Sequence, residues 1–190
     1  DEWISRKIGL SGPLSQSALA DYQLEKVNTT LNLASKASPF YREKFKDYPT
    51  KLGRLEDLSF FPFTTAEDIR ASGQKMVCVS QDAINRVVTL DTSGTTGAPK
   101  RLFFTETDQE LTIDFFLVGM STFTQSGDRV LILLPGERPG SVGDLLAIGL
   151  KRLGAQAIPH GVVQNLDETI SLIRKLKVNG IVGIPNQVLA

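Results

Sequence analysis

The sequence is poor in residues that build covalent or metal-bound scaffolds, with one cysteine, Cys78, and one histidine, His160, in 190 residues. A lone cysteine excludes an internal disulfide framework, and together the two residues are too few for a Cys/His zinc cage within one chain. The sequence also lacks net charge, because 21 Lys and Arg balance 21 Asp and Glu. It therefore has no global positive field to attract nucleic acid or an anionic membrane.

Long apolar runs are missing as well, since no segment approaches the roughly 18 residues needed to cross a bilayer. Hydrophobic residues nevertheless make up 41% of the chain and charged residues 22%, which is an ordinary globular mixture. We therefore expect a folded cytoplasmic protein that binds neither nucleic acid nor membrane. Cys78 lies in the apolar run 76–79 and is interpreted as a small buried residue rather than a reactive thiol.

Residues 1–80 are predicted to form a helical N-terminal segment. Apolar residues recur at helical spacing within 14–34, and Ser38-Pro39 predicts the start of a short helix that runs to about residue 45. Thr64 and Glu67 form the pattern of a capping box, which predicts a third helix ending at Gly73.

From residue 81 to residue 190 the sequence consists of short apolar runs separated by helical patterns. This change from the helical pattern of residues 1–80 marks a boundary between two domains. The predicted strands cover 86–90, 101–105, 129–134, 155–158 and 180–184. The predicted helices cover 107–123, with a Thr107/Glu110 capping box, then 144–153 and a segment from a cap at Asp167 to Lys177, and Asn186 begins a last one. This alternation predicts an α/β fold, with a mostly parallel sheet flanked by helices on both faces.

A loop rich in glycine and hydroxyl groups connects the first two of these strands. It reads Asp91-Thr92-Ser93-Gly94-Thr95-Thr96-Gly97-Ala98-Pro99-Lys100. The glycines let backbone amides approach a ligand, the hydroxyls add hydrogen-bond donors, and the lysine adds a positive charge, so the loop has the parts of a phosphate-binding cradle. It differs from a Walker motif, because Pro99 precedes the lysine, and from a dinucleotide-binding turn, because Gly94 and Gly97 are three apart.

The nine residues 92–100 resemble the signature loop of the adenylate-forming superfamily, which includes acyl-CoA synthetases, nonribosomal-peptide adenylation domains and luciferases. The stretches 37–41 (ASPFY) and 61–65 (FPFTT) resemble the phenylacetate–CoA ligase branch. The resemblance implies the incomplete N-terminal domain of a ligase that uses ATP, Mg²⁺ and coenzyme A. Such an enzyme converts a carboxylic acid to an acyl-adenylate and then to a coenzyme A thioester.

The resemblance also implies what the loop residues do. The β- and γ-phosphates of ATP would be held by Thr92, Ser93, Gly94, Thr95, Thr96, Gly97 and Lys100. None of these would be a nucleophile or a general base, so no catalytic residue and no metal ligand is expected within the chain. The family's magnesium-binding glutamate lies in a Tyr-Gly-x-Thr-Glu segment that these 190 residues lack. The chain alone is therefore expected to be inactive.

Several alternatives stay open. A non-catalytic nucleotide- or acyl-binding module, or an enzyme that passes its acyl group to a protein acceptor, would also carry this loop, and a homodimer is a further expectation. Residues 135–140 (PGERPG) replace the aromatic or histidine-containing stretch that lines the acyl pocket in relatives. They predict either a pocket for a polar acid or a solvated loop with a Glu137–Arg138 charge pair. His160, after a strand end, is interpreted as a solvated or capping residue.

Overall fold

The computed structural model describes residues 2–90 and 99–188, which belong to two compact units, Asp1–Phe104 and Thr105–Ala190. The first unit extends past residue 80 because the two strands that follow this point pair with each other within it. The predicted domain boundary between residues 80 and 81 stays a prediction. No helix in the described ranges is long and apolar enough to cross a membrane.

Within residues 2–90 and 99–104, the first unit contains four α-helices and three short 3₁₀ helices. The α-helices are α1 (Glu2–Ile8), α2 (Gln16–Ala37), α3 (Pro39–Lys44) and α4 (Ala66–Ser72), and the 3₁₀ helices cover Leu55–Phe60, Gly73–Met76 and Gln81–Ala83. The sequence pattern predicts α2, α3 and α4, but α1 was not predicted.

Ser38 separates α2 from α3 and is completely buried. Its backbone N–H donates to the carbonyl of Ala34, and its hydroxyl oxygen accepts from the backbone N–H of Tyr41, so it ends one helix and begins the next. The same hydroxyl donates to the carbonyl of Lys75 at 2.8 Å. This bond connects α3 to the 3₁₀ helix that follows α4, and it accounts for the burial of a polar side chain.

The core of the first unit forms where α2 meets the loop that follows α3. Leu31, Leu52 and Phe61 are buried there, and Phe45 and Tyr48 pack against them. The Phe61 ring lies 5.3 Å from that of Phe45 and 5.1 Å from that of Tyr48, centroid to centroid, within the range of favourable aromatic contacts.

The capping box of α4 lies one residue later than predicted. The hydroxyl of Thr65, not Thr64, accepts from the N–H of Asp68, and the Asp68 carboxylate accepts from the N–H of Thr65. The Thr64 hydroxyl instead lies 3.0 Å from the hydroxyl of Tyr41, a contact formed only when α3 packs nearby. Glu67, the other predicted member, forms an ion pair with Arg70.

Two of the predicted strands form a small sheet of their own. The strands β1 (Ile84–Leu90) and β2 (Lys100–Thr105) pair with each other in the first unit and not with the parallel sheet. Along β1, half-buried and exposed residues alternate over most of its length, which is typical of a strand with one face toward solvent. The parallel sheet is therefore smaller than predicted.

The second unit contains the parallel sheet and its helices. In chain order these are α5 (Glu106–Met120), β3 (Arg129–Leu133), α6 (Val142–Leu153), β4 (Gln156–Pro159), α7 (Leu166–Leu176), β5 (Gly180–Gly183) and α8 (Pro185–Val188). The strand order is β4-β3-β5, and both pairings are parallel. The predicted α/β pattern of this region is confirmed for three strands.

The strand β3 forms the centre of the second core. Val130 and Ile132 point to one face and pack with Leu146 and Leu150 of α6, while Leu131 on the opposite face has no exposed surface. Gly149 of α6 allows a close approach of α5, because a Cβ there would lie 3.1 Å from the backbone of Ile113 and Leu117. Both faces of β3 are therefore buried, as predicted for a parallel sheet.

The helix starts of the second unit also differ from prediction. The helix α5 is capped by Thr105 with Asp108, not by Thr107 with Glu110, whose carboxylate forms an ion pair with Arg152 of α6. Likewise, Asn165 caps α7 in place of Asp167. The last helix begins at Pro185, one residue before the predicted cap at Asn186.

Candidate functional site

The predicted phosphate-binding loop connects β1 to β2. Thr92, Ser93, Gly94, Thr95, Thr96 and Gly97 lie outside the described residues, so their roles stay predictions. The residues on either side are described: Leu90 ends β1, and Lys100 begins β2. Because the two strands pair, the segment 91–99 begins and ends at one small sheet.

Lys100 is the described member of the predicted phosphate-binding group. Its side chain is half-buried, and it has no ion-pair partner among residues 2–90 and 99–188. Successive side chains of a strand point to opposite faces, so Lys100 and Arg101 lie on opposite sides of β2. The Lys100 ammonium group therefore has no competing carboxylate in the described part of the chain, as a group that binds an anion requires.

The strand order of the second unit reverses its direction at β3. The chain leaves β3 to reach β4 on one side and then crosses β3 to reach β5 on the other. Such a reversal creates a point at which ligands bind in open α/β sheets. The loop 135–140 follows β3 and His160 follows β4, so both lie at the carboxyl edge of the sheet.

The loop after β3 is held against the start of α6. The N–H of Gly143 donates to the carbonyl of Pro135 at 2.9 Å, and a Cβ at Gly143 would lie 2.8 Å from that oxygen. Glu137 and Arg138 are both exposed, and no ion pair joins them within the described chain. The predicted Glu137–Arg138 charge pair is therefore wrong, while the solvated character of the loop is confirmed.

Three hydrogen bonds hold His160 and the following residue, Gly161, in place. The backbone N–H groups of His160 and Gly161 both donate to the carbonyl of Ile132 on β3, at 3.0 and 3.2 Å. Its ring Nε2 lies 3.0 Å from the hydroxyl of Thr169, a buried residue on α7. His160 thus connects the edge of the sheet to α7. The interpretation of His160 as a solvated or capping residue did not include this contact.

The sequence predicts that Cys78 is a small buried residue rather than a reactive thiol. Its side chain is half-buried, its Sγ donates to the carbonyl of Met76 at 3.4 Å, and burial raises the pKa of the thiol. A raised pKa reduces the fraction of the nucleophilic thiolate. The described residues include no group of three or more His, Cys, Asp or Glu side chains that could hold a metal ion.

Comparisons with known proteins agree with the family resemblance of the loop. The chain is 30% identical over 181 residues to phenylacetate-coenzyme A ligase of Pseudomonas putida and 29% identical to that of Aromatoleum evansii. Each alignment covers 92% of this chain and 40% of the relative. The chain is thus a distant homologue of these CoA ligases and spans about 40% of their length. No protein-family model matches it.

The fold agrees with this assignment. A crystal structure of 2-hydroxyisobutyryl-CoA ligase in complex with 2-HIB-AMP and CoA matches with a TM-score of 0.78, at 23% identity, over 90% of this chain and 38% of that one. A second structure of that ligase, in an open conformation, matches with a TM-score of 0.77. The two compact units thus have the fold of part of an adenylate-forming enzyme's N-terminal domain.

Proposed function

We propose that this chain carries the phosphate-binding part of an AMP-forming acid–thiol ligase. In this reaction a carboxylate attacks the α-phosphate of ATP, which gives an acyl-adenylate and releases pyrophosphate. The thiol of coenzyme A then attacks the acyl carbon, which gives a thioester and releases AMP. The observation that carries the proposal is the 30% identity to a phenylacetate-coenzyme A ligase over nearly the whole chain.

The proposed role of the loop is electrostatic. The hydroxyls of Thr92, Ser93, Thr95 and Thr96, the backbone amides at Gly94 and Gly97 and the ammonium of Lys100 would bind the β- and γ-phosphates. They would neutralise charge on the departing pyrophosphate, and transfers of this kind depend mainly on positioning and charge stabilisation. Lys100 at the start of β2 supports this role, because it is half-buried and has no ion-pair partner among residues 2–90 and 99–188.

Other components of the reaction are part of the same proposal. The substrates would be a small carboxylic acid, ATP and coenzyme A, and the protein would act in the cytoplasm. The described residues include no cluster of side chains that could hold a metal ion, and the family resemblance implies that the Mg²⁺ ligand belongs to the Tyr-Gly-x-Thr-Glu segment. A homodimer stays a prediction for measurement by light scattering.

Nucleotide binding tests the proposal directly. We expect the chain to bind ATP, and Lys100→Ala to weaken this binding roughly 10- to 150-fold, the range of one charge-assisted contact. Lys51→Ala is the matched control, because Lys51 is an exposed lysine in the first unit, and it should leave the affinity unchanged. Titration calorimetry measures both. A chain without ATP affinity, or one in which Lys100→Ala binds ATP normally, would contradict the assigned role.

A turnover assay tests whether this chain alone catalyses adenylation. We expect no pyrophosphate release when the chain is incubated with ATP, Mg²⁺ and a panel of carboxylic acids, because the sequence lacks the Tyr-Gly-x-Thr-Glu segment. Release of pyrophosphate that depends on one of the acids would show that these residues suffice for adenylation.

A further inference from the structure

A cleft of about 320 Å³ lies in the first unit beside β2. Its walls are the last turn of α4 and the following 3₁₀ helix, residues 69–75, together with Pro99, Arg101 and Phe103. Arg101 and Phe103 are two apart on a strand and therefore share one face. The cleft thus opens on the face of β2 opposite to Lys100.

The lining of the cleft is cationic. It includes Arg70, Lys75 and Arg101 and no aspartate or glutamate. Among the described residues, one carboxylate pairs with this lining from outside. Glu67 accepts from Nη1 of Arg70 at 2.9 Å, but 75% of the Glu67 side chain is exposed, so water screens this pair. The described lining of the cleft therefore keeps a net positive charge.

Arg70 also has an unused hydrogen-bond donor. Its Nε is buried and has no hydrogen-bond partner within the described residues. A buried N–H without an acceptor is unfavourable, and buried polar atoms in native proteins are nearly always paired. An anionic ligand in the cleft would supply the missing acceptor and would also compensate the three positive charges.

Contacts with the rest of the unit hold the cleft in place. The buried hydroxyl of Ser38 donates to the carbonyl of Lys75 and so fixes the 3₁₀ helix. Gly73 lies against β2, because a Cβ there would be 3.5 Å from the carbonyl of Arg101. The walls are therefore formed by backbone segments in contact.

We propose that this cleft binds the phosphoryl group of a small phosphorylated ligand. Its volume is at the lower end of small-molecule sites and is large enough for a phosphoryl group. Guanidinium groups match the geometry of phosphate oxygens and form charge-assisted hydrogen bonds with them. The cleft lies on the face of β2 opposite to Lys100, and the inference does not depend on the ligase activity.

The test is a titration of the isotope-labelled chain with inorganic phosphate, followed by ¹H–¹⁵N NMR at low ionic strength. We expect the resonances of the Arg70 Nε–H and of the Gly73 and Gln74 amides to shift. Arg101→Gln and Lys75→Gln should each weaken the binding roughly 5- to 20-fold. Lys51→Gln, as a charge-matched control, and Lys100→Ala should leave the shifts in the cleft unchanged.

Opposite results would overturn the proposal. One is the absence of shifts at Arg70, Gly73 and Gln74. Another is that Arg101→Gln and Lys75→Gln bind phosphate as tightly as the unsubstituted chain. The third is that Lys100→Ala loses the shifts in the cleft. Because the readout is at the cleft, a chain that fails to bind ATP at the loop would not alter it.

A second titration identifies the source of the phosphoryl group. Shifts with coenzyme A that are lost with dephospho-coenzyme A would assign its 3′-phosphate. Equal shifts with both would assign the diphosphate bridge that they share, and shifts with inorganic phosphate alone would assign a free anion. Absence of shifts with all of these ligands would overturn the proposal.

Discussion

The side-chain amide of Asn28 pairs with both backbone groups of Leu52. Its Nδ2 donates to the Leu52 carbonyl at 3.1 Å, and its Oδ1 accepts from the Leu52 N–H at 2.7 Å. Asn28 lies on α2, whereas Leu52 lies in the loop before the first 3₁₀ helix and is 3% exposed. One side chain thus provides the hydrogen bonds that a neighbouring strand would otherwise provide, and it fixes a core residue that has no regular secondary structure.

Asn28→Ala should therefore destabilise the first unit by about 2–3 kcal/mol, since two backbone groups lose their partners. Asn28→Asp keeps the acceptor and loses the donor, so an intermediate loss is expected. Asn32→Ala, an exposed position one turn later on α2, should stay within about 0.5 kcal/mol of the unsubstituted chain. Urea unfolding followed by circular dichroism measures all three, and equal stabilities of Asn28→Ala and Asn32→Ala would refute the prediction.

Two glycines of the second unit should respond to alanine in opposite directions. Gly154 ends α6 with φ of +86°, and a Cβ there would lie 2.6 Å from the Ser126 hydroxyl. Gly154→Ala should cost about 2–3 kcal/mol from the left-handed backbone and this contact. Gly119 lies within α5 with open space around its Cβ position, so Gly119→Ala should stabilise by up to about 1 kcal/mol. Thermal unfolding should rank Gly119→Ala highest and Gly154→Ala lowest, and the reverse order would contradict the geometry.

Asp68 should give the first unit part of its sensitivity to acid. Its carboxylate accepts from Lys44 Nζ at 2.7 Å and from the Thr65 N–H at 2.9 Å, and these bonds lower its pKa. A lowered folded-state pKa adds stability above the unfolded value of about 3.9, and this stability is lost as the pH falls through the folded-state pKa.

Asp68→Asn should therefore lower stability at neutral pH and reduce its decline between about pH 6 and pH 2. Asp21→Asn is the control, because Asp21 is exposed on α2 and has no hydrogen-bond partner in the described ranges. The measurement is the urea midpoint as a function of pH. An acid decline as steep in Asp68→Asn as in Asp21→Asn would show that the carboxylate has no such role.

His160 should be a single tautomer when neutral. The Thr169 hydroxyl donates its proton to the carbonyl of Asn165 at 2.7 Å, so toward His160 it can only accept. The ring must then carry its proton on Nε2 and leave Nδ1 unprotonated. The ¹⁵N shifts of the neutral ring distinguish the two forms. Thr169→Val should remove the preference, and a ring protonated on Nδ1 in the unsubstituted chain would contradict the assignment.

Local patterns predicted most elements, because hydrophobic spacing and helix signals act over a few residues. The exact caps could not be predicted, since Tyr41 contacts Thr64 and Arg152 contacts Glu110 only in the folded chain. For the same reason the pattern of β1 and β2 could not show that they pair apart from the parallel sheet.

The candidate sites were also predictable from the sequence only in part. The residue types of the loop and Lys100 pointed to phosphate binding from the sequence alone. The cleft beside β2 could not be predicted, because it combines residues 69–75 with residues 99–103, which the fold brings together. The contact between His160 and Thr169 could not be predicted from the sequence either, because it requires α7 to lie at the end of β4.

The central position of β3 has a consequence for synthesis of the chain. The ribosome delivers β3 first, then β4 on one side, and the other edge of β3, with the apolar residues 130–133, stays open until β5 begins at Gly180. An open apolar edge can pair with another nascent chain and aggregate. Asn179, which precedes β5, donates to the carbonyl of Arg129 and accepts from its N–H, so it aligns the late strand with the start of β3. Substitution of Asn179 should therefore reduce the yield of folded protein during expression more than it reduces the stability of protein that has already folded.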